Sequence, residues 1–324
     1  MGKTVGKVAW GGAVIAACVI ALGSPARAET TLQVGKSAQN SSAILPVDVG
    51  TQTGIFAKHG LDVQIENLSG GGKLMQAMAA GSIAIGVSAG PEMALIARGA
   101  PVLAVCNAAP PVAFMGITLP ADSPIQSVDE LKGKKIGVTS AVSLASWLAL
   151  ELARKRGWGL DGVTPVAIGN SPTGIIAAFR THAVDASINA TALAFNMEAN
   201  KQGRLLIPVS KYEGNISAGT IYATTHLIHT SPDTVRNFLA GWLETIDFMR
   251  KHKDETVKIE SGITGYLPSV QANEYDLTIG MFSTDCKFDA ESLANLKRSF
   301  IDLKLLPEPP DMSTLYTEAL LPSR

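Results

Sequence analysis

One stretch of this chain occurs twice, and that duplication limits what it can fold into more than any other feature. The segment "GGGKLMQAMAAGSIAIGVSAGPEMAL", from Gly70, aligns without gaps on "SPTGIIAAFRTHAVDASINATALAF", from Ser171, at an offset of 101. Leu74 falls on Ile175, Met75 on Ile176, Ala77 on Ala178, Ile83 on Val184, Val87 on Ile188 and Ser88 on Asn189. Each copy reads as a polar or glycine loop, a short helix, a turn, an apolar strand, a small polar residue and a new helix. The segments upstream match too. "TLQVGKSAQNSSAILPVDVGTQTGIFAKHGLDVQIENL" and "GKKIGVTSAVSLASWLALELARKRGWGLDGVTPVAI" both run strand, loop, helix, then a Gly-Leu-Asp turn into a strand. Strands alternating with helices imply parallel sheets covered by helices. The expected fold is therefore α/β with two lobes, each a mostly parallel sheet flanked by helices. Ligands of such sheets sit at the carboxyl ends of the strands, where the two lobes would face each other across a cleft.

The boundaries follow from the repeat. The first lobe is expected over 29–116, the second over 117–215, and a return crossing with C-terminal helices over 216–324. "AFMGITLPADSP" supplies the first crossing and "NISAGTIYATTHLI" the second, with Ser127 capping the start of "SVDELKGKK". Ser231 as N-cap and Pro232 at the first helical position open a long helix. Two more are expected near Ser269–Met281 and Asp289–Leu303, and this C-terminal part is expected to pack back on the first lobe.

Ahead of the repeats, Lys3 and Lys7 precede the apolar run "VAWGGAVIAACVIAL" and an Ala26-x-Ala28 cleavage pattern. This reads as a secretory signal peptide over 1–28, releasing an exported, periplasmic protein. "IAAC", ending at Cys18, offers a lipoprotein alternative, but the residues after it stay apolar. The 324 residues are 46% apolar with a net charge of −1 and no basic stripe, which disfavours nucleic acid. Beyond the signal only Cys106 and Cys286 remain, and the sequence does not say whether they pair. The five histidines show no paired ligand spacing, so neither a metal nor a cofactor is expected.

The pieces "GIFAKHGLDVQI", "GGGKLMQAMAAGSIAIGVSA", "RGAPVLAV", "SVDELKGKKIGV", "AAFRTHAVDASI" and the C-terminal "FDAESLANLKRSFIDLKLLPEPPDMSTLYTEALLP" occur in an order that resembles one family. It is that of the periplasmic solute-binding proteins of ABC importers for nitrate, sulfonate and taurine, related to pyrimidine-precursor binders. The resemblance spans nearly the whole chain after the signal. It implies the two-lobed type II periplasmic binding protein fold, a small anionic solute, an importer permease as partner, a monomer and no catalysis. Two turn positions depart from the family's G-x-x-D pattern. The first copy has Gly81 but Ala84 in place of the acid; the second keeps Asp185 but has His182 in place of glycine. Glycine suits the positive φ at a helix C-terminus, so both positions are expected to be structural.

The loops expected at the cleft are "KSAQNSSA", "SGGGK", "SAGPE", "TSAVSLAS", "GNSPTG" and "NAT". They hold Ser, Thr, Asn and Gly, no Arg, and Glu92 as their one carboxylate. Neutral donors and helix N-termini suit an anionic group. "SGGGK" is not a nucleotide loop, since Leu74 follows Lys73 where Ser or Thr would be needed. A helix end supplies about 0.3–1 kcal/mol, whereas micromolar binding needs about 8. Charge-assisted hydrogen bonds of about 1.5–3 kcal/mol each must supply the rest. The candidate ligand-binding residues are Lys36, Ser41, Ser42, Gly71, Gly72, Ser88, Ser140, Ser143 and Asn189. The plainer reading of the serines is helix capping. Lys73 is expected in solvent and Trp147 in the core. No paired acid and base, and no G-x-S-x-G, points to an enzyme. A ligand-sensing module docking on a receptor would look the same in sequence.

Overall fold

The computed structural model of the chain describes residues 1–4, 6, 29–68, 70–141 and 143–322. The apolar run and cleavage site expected within 1–28 lie outside the described residues. The first half runs β1 (Thr30–Lys36), α1 (Pro46–Gln52), α2 (Ile55–Lys58), β2 (Leu61–Asn67), α3 (Gly71–Ala79), β3 (Ile85–Ser88), α4 (Met93–Ala97) and β4 (Val102–Pro111). The second runs β5 (Met115–Pro120), β6 (Lys135–Val138), α5 (Leu144–Lys155), β7 (Thr164–Ala167), α6 (Pro172–Arg180), β8 (Ala186–Ala190), α7 (Thr191–Ala199) and β9 (Gly203–Pro208). Strand β10 (Asn215–Thr224) and helices α8 (Thr225–Thr230), α9 (Pro232–Lys251), α10 (Lys253–Thr264), α11 (Pro268–Thr278) and α12 (Ala290–Asp302) complete the chain. Helices α8 and α10 are additional to the helices expected from sequence.

Two five-stranded sheets result, ordered β2-β1-β3-β10-β4 and β7-β6-β8-β5-β9. Within the first, β1 pairs parallel with β2 and β3, while β10 is antiparallel to both its neighbours. Within the second, β6 pairs parallel with β7 and β8, while β5 is antiparallel to β8 and β9. The fourth place in each sheet is thus taken by a strand arriving from the other half. The chain leaves the first sheet after Pro111 and returns to it at Asn215.

The repeat is visible residue for residue. Helices α3 and α6 begin at Gly71 and Pro172 and end at Ala79 and Arg180, keeping the offset read from sequence. Leu74 and Ile175, equivalent in the two copies, are both in the core. Each helix ends in a residue with positive φ, Gly81 at 80° and His182 at 52°, so the turn is conserved in shape although its residue is not. Asp185 accepts a hydrogen bond from the Lys135 amide at 2.8 Å. Its counterpart Ala84 is held by backbone alone, through a bond from its amide to Gln33 O.

Helix α9 presents Val235, Phe238, Leu239, Trp242 and Ile246 to the interior, a helical spacing of apolar residues. It packs on α1 and α2, where Phe238 stacks on Phe56 with ring centres 5.0 Å apart. Helices α11 and α12 go further. Helix α11 lies against α7 of the second half. Helix α12 packs on β10, and its Asp302 accepts from the Trp147 indole of α5 at 3.1 Å. Arg298 of α12 also pairs with the buried Glu151 of α5. Trp147 is fully buried, as expected.

Cys106 of β4 and Cys286, just ahead of α12, form a disulfide across 180 residues. Closing so long a loop removes much entropy from the unfolded chain. Reduction, or Cys106→Ser with Cys286→Ser, is expected to lower unfolding free energy by about 3–5 kcal/mol. Denaturant titration with and without reductant measures this, and an unchanged midpoint would contradict it.

Candidate functional site

The carboxyl ends of the two sheets bring the first-half loop 37–45 close to the start of α7. Ser42 lies in that loop and is buried. Thr191 is the first residue of α7, two positions past Asn189. Both hydroxyls point at one carboxylate that belongs to neither half. Ser42 Oγ donates to Glu274 Oε1 at 2.5 Å, and Thr191 Oγ1 donates to Glu274 Oε2 at 2.6 Å. Glu274 sits on α11 and is fully buried. A single side chain therefore ties the two halves together.

The buried face of α11 is unusual in being largely polar: Val270, Gln271, Glu274, Tyr275 and Thr278. Gln271 Nε2 donates to Glu260 Oε2 of α10 at 2.8 Å. Burial pushes the Glu274 carboxyl up to about 7, against the opposing hydrogen bonds from Ser42 and Thr191. Burial likewise raises Glu260 to about 7; the Gln271 hydrogen bond opposes this, and the nearby charges of Glu274 and Asp48 add to it. Tyr266 is raised by burial and then by Glu274, with a contact to Asn40 opposing. The junction is thus lined by acids that burial keeps close to neutral.

The residues singled out in sequence fall into distinct groups. Ser42 reaches the junction directly. Ser41 turns the chain into α1 through its carbonyl, which accepts from the amides of Ile44 and Leu45. Lys36 is fully buried, and its ammonium already meets Asp48 at 2.5 Å and the Gln39 carbonyl at 3.3 Å. Its charge serves that pair rather than standing free for a solute. Ser140 and Ser143 bond to each other, and Ser143 caps α5 by accepting from the Ser146 amide. For Ser143 the capping reading is what the structure displays. Asn189 is held inside the second sheet, accepting from Thr118 at 2.9 Å and donating to Ser187 at 2.7 Å. Gly72 and Lys73 are exposed.

Gly71 has a specific reason to lack a side chain. A Cβ there would lie 1.7 Å from Glu92 Oε1. The carboxyl of Glu92 occupies the space at the start of α3. Its Oε2 is shielded from solvent and has no hydrogen-bond partner, and the same is true of Ser88 Oγ. Burial pushes Glu92 up to about 7; its own amide opposes this most, and the Ser88 hydroxyl, facing it short of full hydrogen-bond geometry, opposes it less.

Sequence reasoning missed Glu274, Glu260 and Gln271, because the cleft was built from the repeats alone. The available signal was the pattern of α11 itself. Residues 271, 274 and 278 share one helix face, and that face is polar where a packed helix would be apolar.

Comparison with known proteins agrees with this architecture. The family model described as "NMT1/THI5 like" matches residues 41–256, well over half of the chain. A "Putative binding protein" of Brucella abortus (strain 2308) is 25% identical over 213 residues, 65% of this chain and 65% of that protein. The chain thus matches about two thirds of the length of this curated relative. The alkanesulfonate-binding protein SsuA from Xanthomonas axonopodis pv. citri, solved bound to MOPS, superimposes with a TM-score of 0.75 at 20% identity, covering 90% of this chain and 99% of that one. The desulfurization enzyme DSZB shares the fold at a TM-score of 0.63 and 15% identity, covering 90% of this chain and 97% of that one. The two-lobed periplasmic binding protein fold is therefore common to solute binders and to at least one enzyme.

The buried acids set a pH dependence. Glu92, Glu260 and Glu274 keep their protons in the native state up to about 7, whereas their unperturbed value is 4.5. The stability they contribute is fully present below about pH 4.5 and is lost as pH rises through about 7. Thermal unfolding followed by circular dichroism should show a higher midpoint at pH 5.5 than at pH 8. Glu274→Gln should flatten part of that slope. A midpoint that climbs between those pH values would contradict the assignment.

Proposed function

The chain belongs to the NMT1/THI5-like family, and from that premise we propose that it is an extracytoplasmic solute-binding protein. It captures a small organic anion, sulfonate-like in its acidic group, and delivers it to the permease of an ABC importer when the lobes close. Candidate contacts with the solute are Ser41, Ser42, Gly71, Gly72, Ser88, Ser140 and Asn189.

One observation carries this reading. The hydroxyls of Ser42 and Thr191, from opposite halves, converge on the two oxygens of one carboxyl group. Glu274 holds both donors in this arrangement, and donors of this kind, drawn from both halves, bind oxyanions through charge-assisted hydrogen bonds. The fold shared with a sulfonate-binding protein supports the choice of acidic group. Closure between rigid halves joined by two crossings is the motion such a fold permits. Thiol catalysis draws no support from the two halves, since Cys106 and Cys286 are bonded to each other.

Titration calorimetry on the purified protein tests the reading with alkanesulfonates, taurine, nitrate and aromatic carboxylates. At least one organic acid is expected to bind with micromolar affinity, corresponding to about 8 kcal/mol. Folded protein that binds none of them would overturn the proposal.

A further inference from the structure

The Ser88–Glu92 corner does not suit a simple anion. Ser88 ends β3, the central strand of the first sheet, at the carboxyl end where solutes of α/β proteins sit. Glu92 follows four residues later and turns its carboxyl back to the start of α3, into the space that Gly71 leaves free. Ser88 is 1% exposed, and its Oγ has no partner; Glu92 Oε2 is shielded and has none either. Glu92 as a residue is partly exposed, so the corner is reached from outside although that oxygen is covered.

Buried polar atoms are nearly always satisfied, and leaving one without a partner is costly. The Ser88 hydroxyl faces the Glu92 carboxyl, but neither Ser88 Oγ nor Glu92 Oε2 completes a hydrogen bond. The Tyr222 hydroxyl, which feels the Glu92 charge, donates to the Ala89 carbonyl at 2.5 Å instead. A carboxyl oxygen also cannot receive an anion without repulsion, or without holding a proton of its own. The group that satisfies it is a hydrogen-bond donor, best a positively charged one.

We propose that the Ser88–Glu92 corner is a subsite for an amino or ammonium group, so that the captured solute carries a basic nitrogen as well as an acidic group. This rests on the solute-binding reading above and narrows it to zwitterionic or amino-bearing acids. Gly71 is part of the subsite because any side chain there displaces the Glu92 carboxyl. The near-neutral titration of Glu92 fits the assignment, since an ammonium brought beside it favours the ionised form.

The test compares matched probes by calorimetry: 2-aminoethanesulfonate against ethanesulfonate and 2-hydroxyethanesulfonate, amino against amine-free aliphatic and aromatic carboxylates, and simple amines without an acid. Each amino acid probe should bind at least about tenfold more tightly than its amine-free partner, the equivalent of about 1.4 kcal/mol. Glu92→Gln, which keeps the side chain's shape, should abolish that preference while leaving amine-free acids bound as before. Gly71→Ala should also abolish the preference, by displacing the carboxyl. Amine-free acids binding as tightly as their amino partners would overturn the subsite and leave the anion reading intact. A preference that survives Glu92→Gln would overturn it too. Amines binding without an acid, while acids alone do not, would sustain the subsite and overturn the anion reading. Binding of no probe to folded protein would overturn both.

Discussion

Strand β10 is buried along nine of its ten residues and lies antiparallel between β3 and β4. The first sheet has no continuous ladder without it. Yet β10 follows the whole second half in sequence, so that sheet closes only after the chain has crossed out and come back. Much else depends on this one pairing. It fixes both crossings as strand edges rather than slack linkers. It also brings the C-terminal helices to the sheet they cover. The disulfide from β4 to Cys286 fastens the segment that leads into α12. Pairings of such long sequence separation carry a loop-closure cost that the buried sheet must offset. The core does so with one large apolar cluster drawn from both sheets and from α9 and α12, beside a smaller one around α6 and α7.

The C-terminal helices then act as a third body between the halves. Helix α11 packs on α10 and on α7 of the second half, and its Glu274 is bonded to the first half through Ser42 and to the second through Thr191. A buried carboxyl with one hydroxyl on each oxygen is satisfied only while both halves are in place. Separating them would leave it short of a donor, a loss of about 1–3 kcal/mol for a buried group. Trp147 with Asp302 and Glu151 with Arg298 make a second junction of the same kind, from α5 to α12. Contacts of this strength are enough to favour one arrangement of the lobes.

Most of the architecture was legible because it repeats. Two copies of one pattern each confirmed the other's helix and strand periods, and helices α3 and α6 start and stop where the alignment put them. His182 shows the limit of that logic in a useful way: the turn keeps its positive φ with a residue that tolerates it less well than glycine. The site was legible only in part. Ser42 lies where the loop after β1 suggested. Lys36 does not act as a free cation, because Asp48, twelve residues on, turns back on α1 to meet it. Ser143 spends its hydroxyl on a helix end. The junction acids were missed because they come from a segment with no counterpart in the repeat. Their roles arise from tertiary packing between α10, α11 and α7, which no local spacing encodes.

The difference between the two copies explains how labour is divided at the junction. In the second copy, α6 opens with Ser171, whose side chain accepts from the Gly174 amide, followed by Pro172. Asn189 and Ser143 are likewise satisfied within their own half. In the first copy, α3 opens at Gly70 with a φ of 106° and no side-chain cap. The room left by that bare start is filled by a carboxyl from further along the chain. The first half thus keeps shielded oxygens without partners at Ser88 and Glu92, while Asn189, the counterpart of Ser88, is bonded within the second half. Polar groups already paired inside a lobe gain little from a solute, and unpaired ones gain the full bond. On the proposed solute-binding reading, Ser88 and Glu92 of the first half are the groups with bonds left to give, and the paired groups of the second have less to gain.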